Sequence, residues 1–248
     1  MPPTGKYLYG IIRAGKDEAF GDIGIQGEKV YTVRYEDIGA LVSDIPFVGK
    51  IKPLKANLEP HNQVIKEANR RFTVIPMTFG HITKSEHNIL RVLKINYHEI
   101  SEELERLQGK VEMGLKVFWD VDNIFEYFVK EYRDLEDFRD KIFGRSSPAT
   151  RQEMIELGRL FEEKRTEERE RHTEKVIDAL RDYVRDFRVN ESIGEKMVLN
   201  SAFLIERDEE KAFDEGIHRA ASLFDGNFTF DYNGPWAPYS FVELELET

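Results

Sequence analysis

Apolar residues at every second position predict short β-strands in the first third of the chain. The strands cover Lys6–Ile12, Lys29–Val33 and Ile38–Ile45, where Tyr, Val and Ile are concentrated between Gly and Asp residues. Spaced glycines occupy residues 21–27, between the first two strands. No Gly-Lys-Ser/Thr and no long helical pattern follow them, so we interpret this segment as a hairpin loop and not as a phosphate-binding loop.

A period of three and four residues, typical of helices, follows the strands. The pattern predicts a helix over Leu58–Phe72, a strand over Thr73–Gly80 and a second helix that begins at a capping box, Thr83–Glu86, and ends at Gly109. The second helix has one apolar stripe that faces a core. Its members are Ile89, Leu93, Tyr97, Ile100, Leu104 and Leu107. These elements predict an α+β domain over residues 1–108.

A second domain is predicted over residues 109–248. Its elements are a strand at Lys110–Trp119, a helix from Ile124, a strand at Lys196–Glu206, a helix at Asp208–Phe224 and two alternating strands at Phe228–Tyr232 and Phe241–Leu246. The predicted fold class is therefore α+β, with two ferredoxin-like layers, each carrying helices on one face of an antiparallel sheet.

The segment at 148–190 is unusually charged. Pro148 suits the first turn of a helix, and residues 162–175 contain no apolar side chain. Pairs such as Glu167 and Arg171, four residues apart, support an isolated helix. We expect a long charged helix or helical hairpin, inserted in the second domain and projecting from it. Its charged middle is either a solvated face or an arm for a partner or a neighbouring copy.

Composition narrows the possible partners. The 248 residues include 47 acidic and 36 basic side chains, for a formal net charge of -11. Such a field repels nucleic acid and anionic membrane surfaces, so we expect neither as a partner. Without cysteine, disulfides and thiol catalysis are excluded. We find no signal peptide and no run of about 20 apolar residues, so we expect a cytoplasmic protein with no membrane span.

The sequence offers little catalytic chemistry. Its acidic residues lie mainly in charge-dense helices, where they stay ionised, and a catalytic pair needs one desolvated carboxyl group. There is no Gly-x-Ser-x-Gly elbow and no His-Glu-x-x-His spacing. His61 is either a structural histidine or part of a site with His81 and Glu59. We expect no enzyme activity, no cofactor and no metal.

A stiff loop carries the candidate binding residues. Pro235 and Pro238 restrict the backbone and remove two donors, while Trp236 and Tyr239 supply large amphipathic rings. Such rings form either a local plug of the core or a contact surface. We therefore name Trp236, Pro238 and Tyr239 as candidate partner-binding residues.

The same loop carries a family resemblance. The run Gly-Pro-Trp-Ala-Pro-Tyr-Ser-Phe-Val at 234–242 resembles the hallmark of the gas vesicle protein family that contains GvpF and GvpL. Four further segments are similar to that family: Tyr7–Ile12, His61–Val64, Val74–Gly80 and Glu112–Val117. Thr78 departs from the pattern, since relatives more often carry arginine there. The chain length fits the GvpF branch better than the GvpL branch.

The resemblance implies a function that composition alone does not. It implies a minor structural or accessory protein of gas vesicles in the cytoplasm, which binds the hydrophobic major shell protein, assists nucleation and limits aggregation. Other gas vesicle accessory proteins are further expected partners. The loop at 236–239 and the segment at 148–190 are the expected contact surfaces. The alternative is a small-molecule- or metal-binding α+β protein with a ligand between the two domains.

Overall fold

The computed structural model describes residues 4–46 and 50–247, which form two sheets and seven α-helices. The strands are β1 (Thr4–Arg13), β2 (Ala19–Gly21), β3 (Val30–Tyr35), β4 (Ile38–Pro46), β5 (Val74–Pro76), β6 (Ile82–Thr83), β7 (Lys110–Trp119), β8 (Asp186–Val189), β9 (Met197–Glu206) and β10 (Phe228–Trp236). The helices are α1 (Lys55–Asn69), α2 (Glu86–Ile95), α3 (Tyr97–Arg106), α4 (Ile124–Glu131), α5 (Arg133–Phe143), α6 (Arg151–Leu180) and α7 (Glu210–Ala221). The predicted mixture of helices and antiparallel strands is confirmed.

The chain divides into two compact units. Unit 1 consists of Met1–Met113 together with Gly234–Thr248, and unit 2 of Gly114–Asn233. The predicted domains, 1–108 and 109–248, differ from these units chiefly in the place of the last fifteen residues. That the segments 1–108 and 109–248 are separate domains therefore stays a prediction.

Unit 1 is built on a sheet with the order β2-β3-β4-β1-β5, and β6 also pairs with β1. The antiparallel β1–β4 ladder contains a bulge between Leu8 and Gly10. Tyr7 and Tyr9 pack into a core cluster with residues of α1, whereas Leu8 lines a groove with residues of α2. The expectation of helices on a single face is wrong for this unit. Because β1 is apolar on both faces, both faces need a cover.

The second predicted helix of unit 1 is two helices. Asn96 separates α2 from α3 and is only 3% exposed. The predicted capping box is also wrong, since Thr83 lies in β6 and the cap of α2 is Ser85, which accepts a hydrogen bond from Asn88 N at 3.4 Å. The apolar stripe predicted for the two helices is largely buried, Ile89 and Leu104 included.

Unit 2 is built on a four-stranded sheet with the order β10-β7-β9-β8. Its elements follow one another as a strand, helices α4 to α6, two strands, helix α7 and a strand, which is the element order of a ferredoxin-like motif. Helices α6 and α7 pack against each other and against β9. The predicted layering of this unit stays a prediction.

The charged segment forms one continuous helix, α6, and not a hairpin. Its start differs from the prediction, because Thr150 and Glu153 form the capping box. We expected the middle of this helix to project into solvent on all sides. This is wrong, because one face of the middle part is buried. His172 is 7% exposed, and Arg169 Nε donates to Met197 O at 3.0 Å. A polar helix face packs here because its donors reach backbone carbonyls of β9.

No helix within residues 4–46 and 50–247 combines the length and the apolar character that crossing a bilayer requires.

Candidate functional site

The Gly-Pro-Trp segment was predicted as a loop, and this is wrong for residues 234–236, which form the end of strand β10. The segment at 234–239, for which we keep the name loop, is anchored in unit 1 by small and buried residues. Gly234 has a φ of +140°, and a Cβ atom there would lie 2.6 Å from the sulfur of Met113. Only glycine fits both conditions. Ala237 is 3% exposed and Phe241 is fully buried. The segment is therefore held in place at both ends of its aromatic part.

The three predicted binding residues of this loop differ in exposure. Trp236 is 42% exposed and Tyr239 is 39% exposed, whereas Pro238 is buried. Pro238 is thus consistent with a plug, as is the hydroxyl end of Tyr239, whose pKa is raised by burial. Trp236 and the rest of Tyr239 are partly exposed, as a contact surface requires. Contact with a partner through Trp236 and Tyr239 stays a prediction.

A carboxylate on β7 fixes the end of the loop. Glu112 accepts a hydrogen bond from Ser240 N at 2.7 Å and another from the Ser240 hydroxyl at 2.9 Å. Burial raises the pKa of Glu112 even though both bonds act to lower it. The sequence placed Glu112 in a family-like segment but did not connect it with the loop. The bonds show that these two segments form one local structure.

The chain continues from the loop into residues 242–247, which we call the strap. The strap was predicted as part of a strand at Phe241–Leu246, and this is wrong, because the segment joins neither sheet of the described residues. The predicted alternation is nevertheless present. Val242, Leu244 and Leu246 are half-buried, and the glutamates between them are exposed.

Buried polar side chains of unit 1 hold the far end of the strap. The Asn96 amide accepts a hydrogen bond from Glu247 N at 2.8 Å and donates one to Glu247 O at 3.0 Å. It also donates to Val92 O at 2.8 Å. These bonds give the buried amide the partners that it requires. Asn96 therefore joins the break between α2 and α3 to the strap.

An ion pair on α3, between buried Glu103 and partly exposed Arg106, holds the near end of the strap. Glu103 is 6% exposed and accepts hydrogen bonds from Glu243 N at 2.9 Å and from Arg106 Nη2 at 2.8 Å. Arg106 also donates to Phe241 O. Burial alone would raise the pKa of Glu103, but the bonds from Arg106 and Glu243 N bring it below the ordinary value.

An apolar groove lies beneath the strap. Its volume is about 890 Å³, and the strap, α2, β1 and β5 supply most of its wall. Aliphatic side chains predominate in the lining: Leu8, Ile11, Ile75, Ile82, Ile89, Val92, Leu93, Val242, Leu244 and Leu246. Tyr239 also lines it, and so do His81 and Arg91, but among the described residues no carboxylate does. In a chain of net charge -11, such a lining is suited to an apolar group.

The histidine alternative does not form a metal site. His61 is 2% exposed, and its Nδ1 lies 3.0 Å from Tyr7 Oη. Burial lowers the pKa of His61 to about 4, so the ring is neutral at pH 7. His81 instead bonds to Thr78, and Glu59 pairs with Lys55. Within the described part of the chain, no three His, Asp or Glu residues are placed to hold a metal ion.

Unit 2 contains a smaller cavity of about 330 Å³. Trp119 and His172 line it, and neither the indole Nε1 nor His172 Nδ1 has a hydrogen-bond partner among the described residues. Burial lowers the pKa of His172. Acidic and basic side chains are mixed around the cavity, with Glu168 beside Arg171. The lining therefore favours no one class of ligand.

Sequence reasoning missed the residues that hold the strap. Asn96, Glu103 and Arg106 fall inside a predicted helix, where Glu and Arg three residues apart look like an ordinary surface pair. The one available signal was Asn96 in an otherwise continuous apolar stripe, because asparagine favours caps and breaks over helix interiors.

Comparisons with known proteins agree with this architecture. The model of the family "Gas vesicle synthesis protein GvpL/GvpF" matches residues 5–243. Gas vesicle protein F of Nostoc sp. is 26% identical over 97% of this chain and 99% of its own length. Gas vesicle protein F1 of Halobacterium salinarum is 27% identical over 97% of this chain and 93% of its own length.

A solved structure is similar over nearly the whole chain. The crystal structure of gas vesicle protein GvpF from Anabaena sp. PCC7120 matches with a TM-score of 0.85 and 26% identity, covering 98% of this chain and 99% of that one. The family match spans both units and includes the strap-bearing end of unit 1 up to Glu243. On this evidence the chain belongs to the GvpL/GvpF family of gas vesicle synthesis proteins.

Proposed function

We propose that this protein is a non-enzymatic accessory component of gas vesicles in the cytoplasm. It binds the hydrophobic major shell protein, assists nucleation of the vesicle and limits aggregation of the shell protein before assembly. Other gas vesicle accessory proteins join it in this task. The family membership supports the gas vesicle role, and the apolar groove of unit 1 supports the binding of an apolar partner.

The observation that carries the proposal is the apolar groove of unit 1. A groove of about 890 Å³ with an aliphatic wall is large enough to take several apolar side chains of another protein. Concave, mostly apolar grooves of this volume are typical of binding sites. The surrounding charge of -11 keeps the protein dispersed while it holds an aggregation-prone partner.

The exposed rings extend this surface. Tyr239 lines the groove and is 39% exposed, and Trp236 is 42% exposed three residues earlier. Partly exposed aromatic residues on a rigid loop supply binding energy at little entropic cost. We assign Trp236 and Tyr239 as partner contacts, and buried Pro238 as the residue that fixes their positions.

The test is capture of the shell protein by the tagged full chain in cells that make gas vesicles, with the shell protein identified by mass spectrometry. We expect wild type to retain it. The double variant Trp236→Ala/Tyr239→Ala should bind at least about thirtyfold more weakly, because truncation of each aromatic anchor costs more than about 1 kcal/mol of binding free energy. Retention equal to wild type would contradict the assignment of these two residues.

A matched control separates loss of contact from loss of fold. Phe143 is 57% exposed, belongs to unit 2 and is not among the residues that line the groove, so Phe143→Ala removes an exposed ring that does not contribute to the groove wall. It should retain the shell protein fully. Urea unfolding of the double variant should give the wild-type midpoint within error. A large drop in that midpoint would show that the rings act as plugs.

A further inference from the structure

The strap shows what kind of segment the groove edge binds. The bonds from Asn96 and Glu103 go to the backbone of Glu247 and Glu243, and not to their side chains. Main-chain recognition of this kind accepts any sequence that is extended, as in strand-addition complexes. The anchor side chains therefore do not require the strap's own glutamates.

The spacing of the anchors fits an extended chain. Asn96 and Glu103 are separated by seven residues, which in a helix rise about 10 Å. Glu243 and Glu247 are separated by four residues, which in an extended chain span about 13 Å. The strap runs against the direction of α3, since Glu243 meets Glu103 and Glu247 meets Asn96. A helical segment would place these two backbone positions only about 6 Å apart.

Side chains add a second requirement. Val242, Leu244 and Leu246 line the groove, while Glu243, Glu245 and Glu247 are exposed. Apolar residues at every second position are thus the pattern that this edge accepts. The three inward side chains are only half-buried, and about 890 Å³ of groove remains beneath them. A segment whose aliphatic side chains insert more deeply than these half-buried ones would bury more apolar area than the strap does.

We propose that the groove edge is a docking surface for an extended partner segment with aliphatic side chains at every second position, and that the strap occupies this surface until such a segment displaces it. The strap is then an internal competitor that covers the apolar wall in the absence of the partner. The absence of carboxylates from the lining suits an aliphatic occupant. The proposed function enters this inference at one point, because it supplies a hydrophobic protein as the source of the partner segment.

The experiment uses the full chain and a dye-labelled synthetic peptide with the strap's own sequence, residues 240–247. Peptide binding is followed by fluorescence anisotropy. We expect weak binding to wild type and about tenfold tighter binding to Leu244→Ser/Leu246→Ser. The two serines weaken the apolar contacts of the strap, so a larger fraction of the protein molecules has a groove edge that is free to bind the peptide. A peptide of the same composition with its aliphatic residues consecutive should bind neither protein.

The matched control lies on the same strap. Glu245 is exposed between the two leucines. Glu245→Ser therefore introduces the same residue into the strap as the double-serine variant does, but it leaves the apolar contacts of the strap intact. Its affinity for the peptide should equal that of wild type. Equal affinity of wild type and the double-serine variant, or no binding to that variant, would overturn the proposal.

A groove-wall variant identifies the binding surface. Val92 is half-buried in the wall, and Val92→Asp in the double-serine background should abolish peptide binding. If that variant unfolds, Val92→Ser in the same background should still weaken binding at least about fivefold, in line with the loss of one apolar contact. Undiminished peptide binding by a folded Val92→Asp protein would place the peptide elsewhere and overturn the proposal.

Failure here and failure of the proposed function give different results. If the shell protein is captured but the double-serine variant takes no peptide, the docking surface is wrong and the accessory role stands. If that variant binds the peptide with the expected pattern but no shell protein is captured, the docking surface stands and the proposed partner is wrong.

Discussion

At the scale of single residues, the site depends on buried polar groups with complete sets of partners. Asn96 and Glu103 are each at least nine-tenths buried, and each contacts backbone of the strap. Apolar periodicity predicted the residues around them correctly, since Ile100 and Leu104 are buried as expected. It could not predict the role of Glu103, because the partner of that carboxylate lies 140 residues further along the chain.

Glu103 should make the stability of the strap depend on pH. Its pKa is lower in the folded protein than its ordinary value, so its stabilising contribution is complete above the unfolded pKa, near about 4.3. The contribution disappears as the pH falls through the folded value. Glu103→Gln should therefore lower the free energy of unfolding by about 1.5–3 kcal/mol at pH 7, the range for hydrogen bonds to a charged group.

Urea unfolding of both proteins between pH 7 and pH 3 measures this effect. The difference between wild type and Glu103→Gln should shrink as the pH decreases, since a protonated glutamate resembles glutamine. Glu102→Gln is the control, because the Glu102 side chain is 69% exposed and forms an i,i+4 pair with His98. Its effect should stay within about 0.5 kcal/mol. A constant difference at every pH would contradict the ion-pair assignment.

At the scale of elements, the sequence predicts strands better than it predicts the surroundings of charged helices. Strands β4 and β9 lie within one or two residues of their predicted positions. Helix α6 is different, because a charged run was taken as a solvated middle, yet one of its faces meets β9. Periodicity reports only apolar contacts, and here the contacts are made by hydrogen bonds to backbone carbonyls.

Arg169 should therefore contribute more to stability than its charged neighbours. Its Nε donates to Met197 O at 3.0 Å, and burial lowers its pKa. Arg169→Ala removes the donor and leaves a part-buried carbonyl without that partner, at a cost of about 1–3 kcal/mol. Glu170→Ala, at the exposed next position, should change the free energy of unfolding by less than about 0.5 kcal/mol. If urea titrations gave the same free energy of unfolding for Arg169→Ala and Glu170→Ala, the hydrogen bond from Arg169 to β9 would not contribute to stability.

At the scale of the whole molecule, a chain of net charge -11 carries an apolar groove without carboxylates. The sequence predicted the charge, the aromatic loop and the family. It did not predict the groove, because the wall combines residues from 8 to 246 that come together only in the folded unit. The strap was predicted as a strand because alternation indicates a segment with one solvent-exposed and one apolar side. A segment that lies along the edge of an apolar groove has the same two sides without belonging to a sheet.

This distribution of charge and apolar surface predicts how binding responds to salt. The proposed binding of the shell protein in the groove would remove apolar area from water and would require no ion pair, so ionic strength should affect it little. Raising NaCl from 0.1 to about 1 M, which shortens the Debye length to about 3 Å, should leave the captured amount unchanged or slightly increased. A charge-driven complex would instead lose most of its affinity over that range.

Capture by the full chain at three salt concentrations distinguishes the two cases. The matched comparison is the variant Val92→Asp, which places a carboxylate in the wall and should reduce capture at every salt concentration. If wild-type capture disappears at high salt while Val92→Asp behaves like wild type, the partner is held by surface charge. If wild-type capture persists and the variant fails throughout, burial of apolar side chains in the groove is what holds the partner, and the acidic exterior serves to keep the loaded protein dispersed.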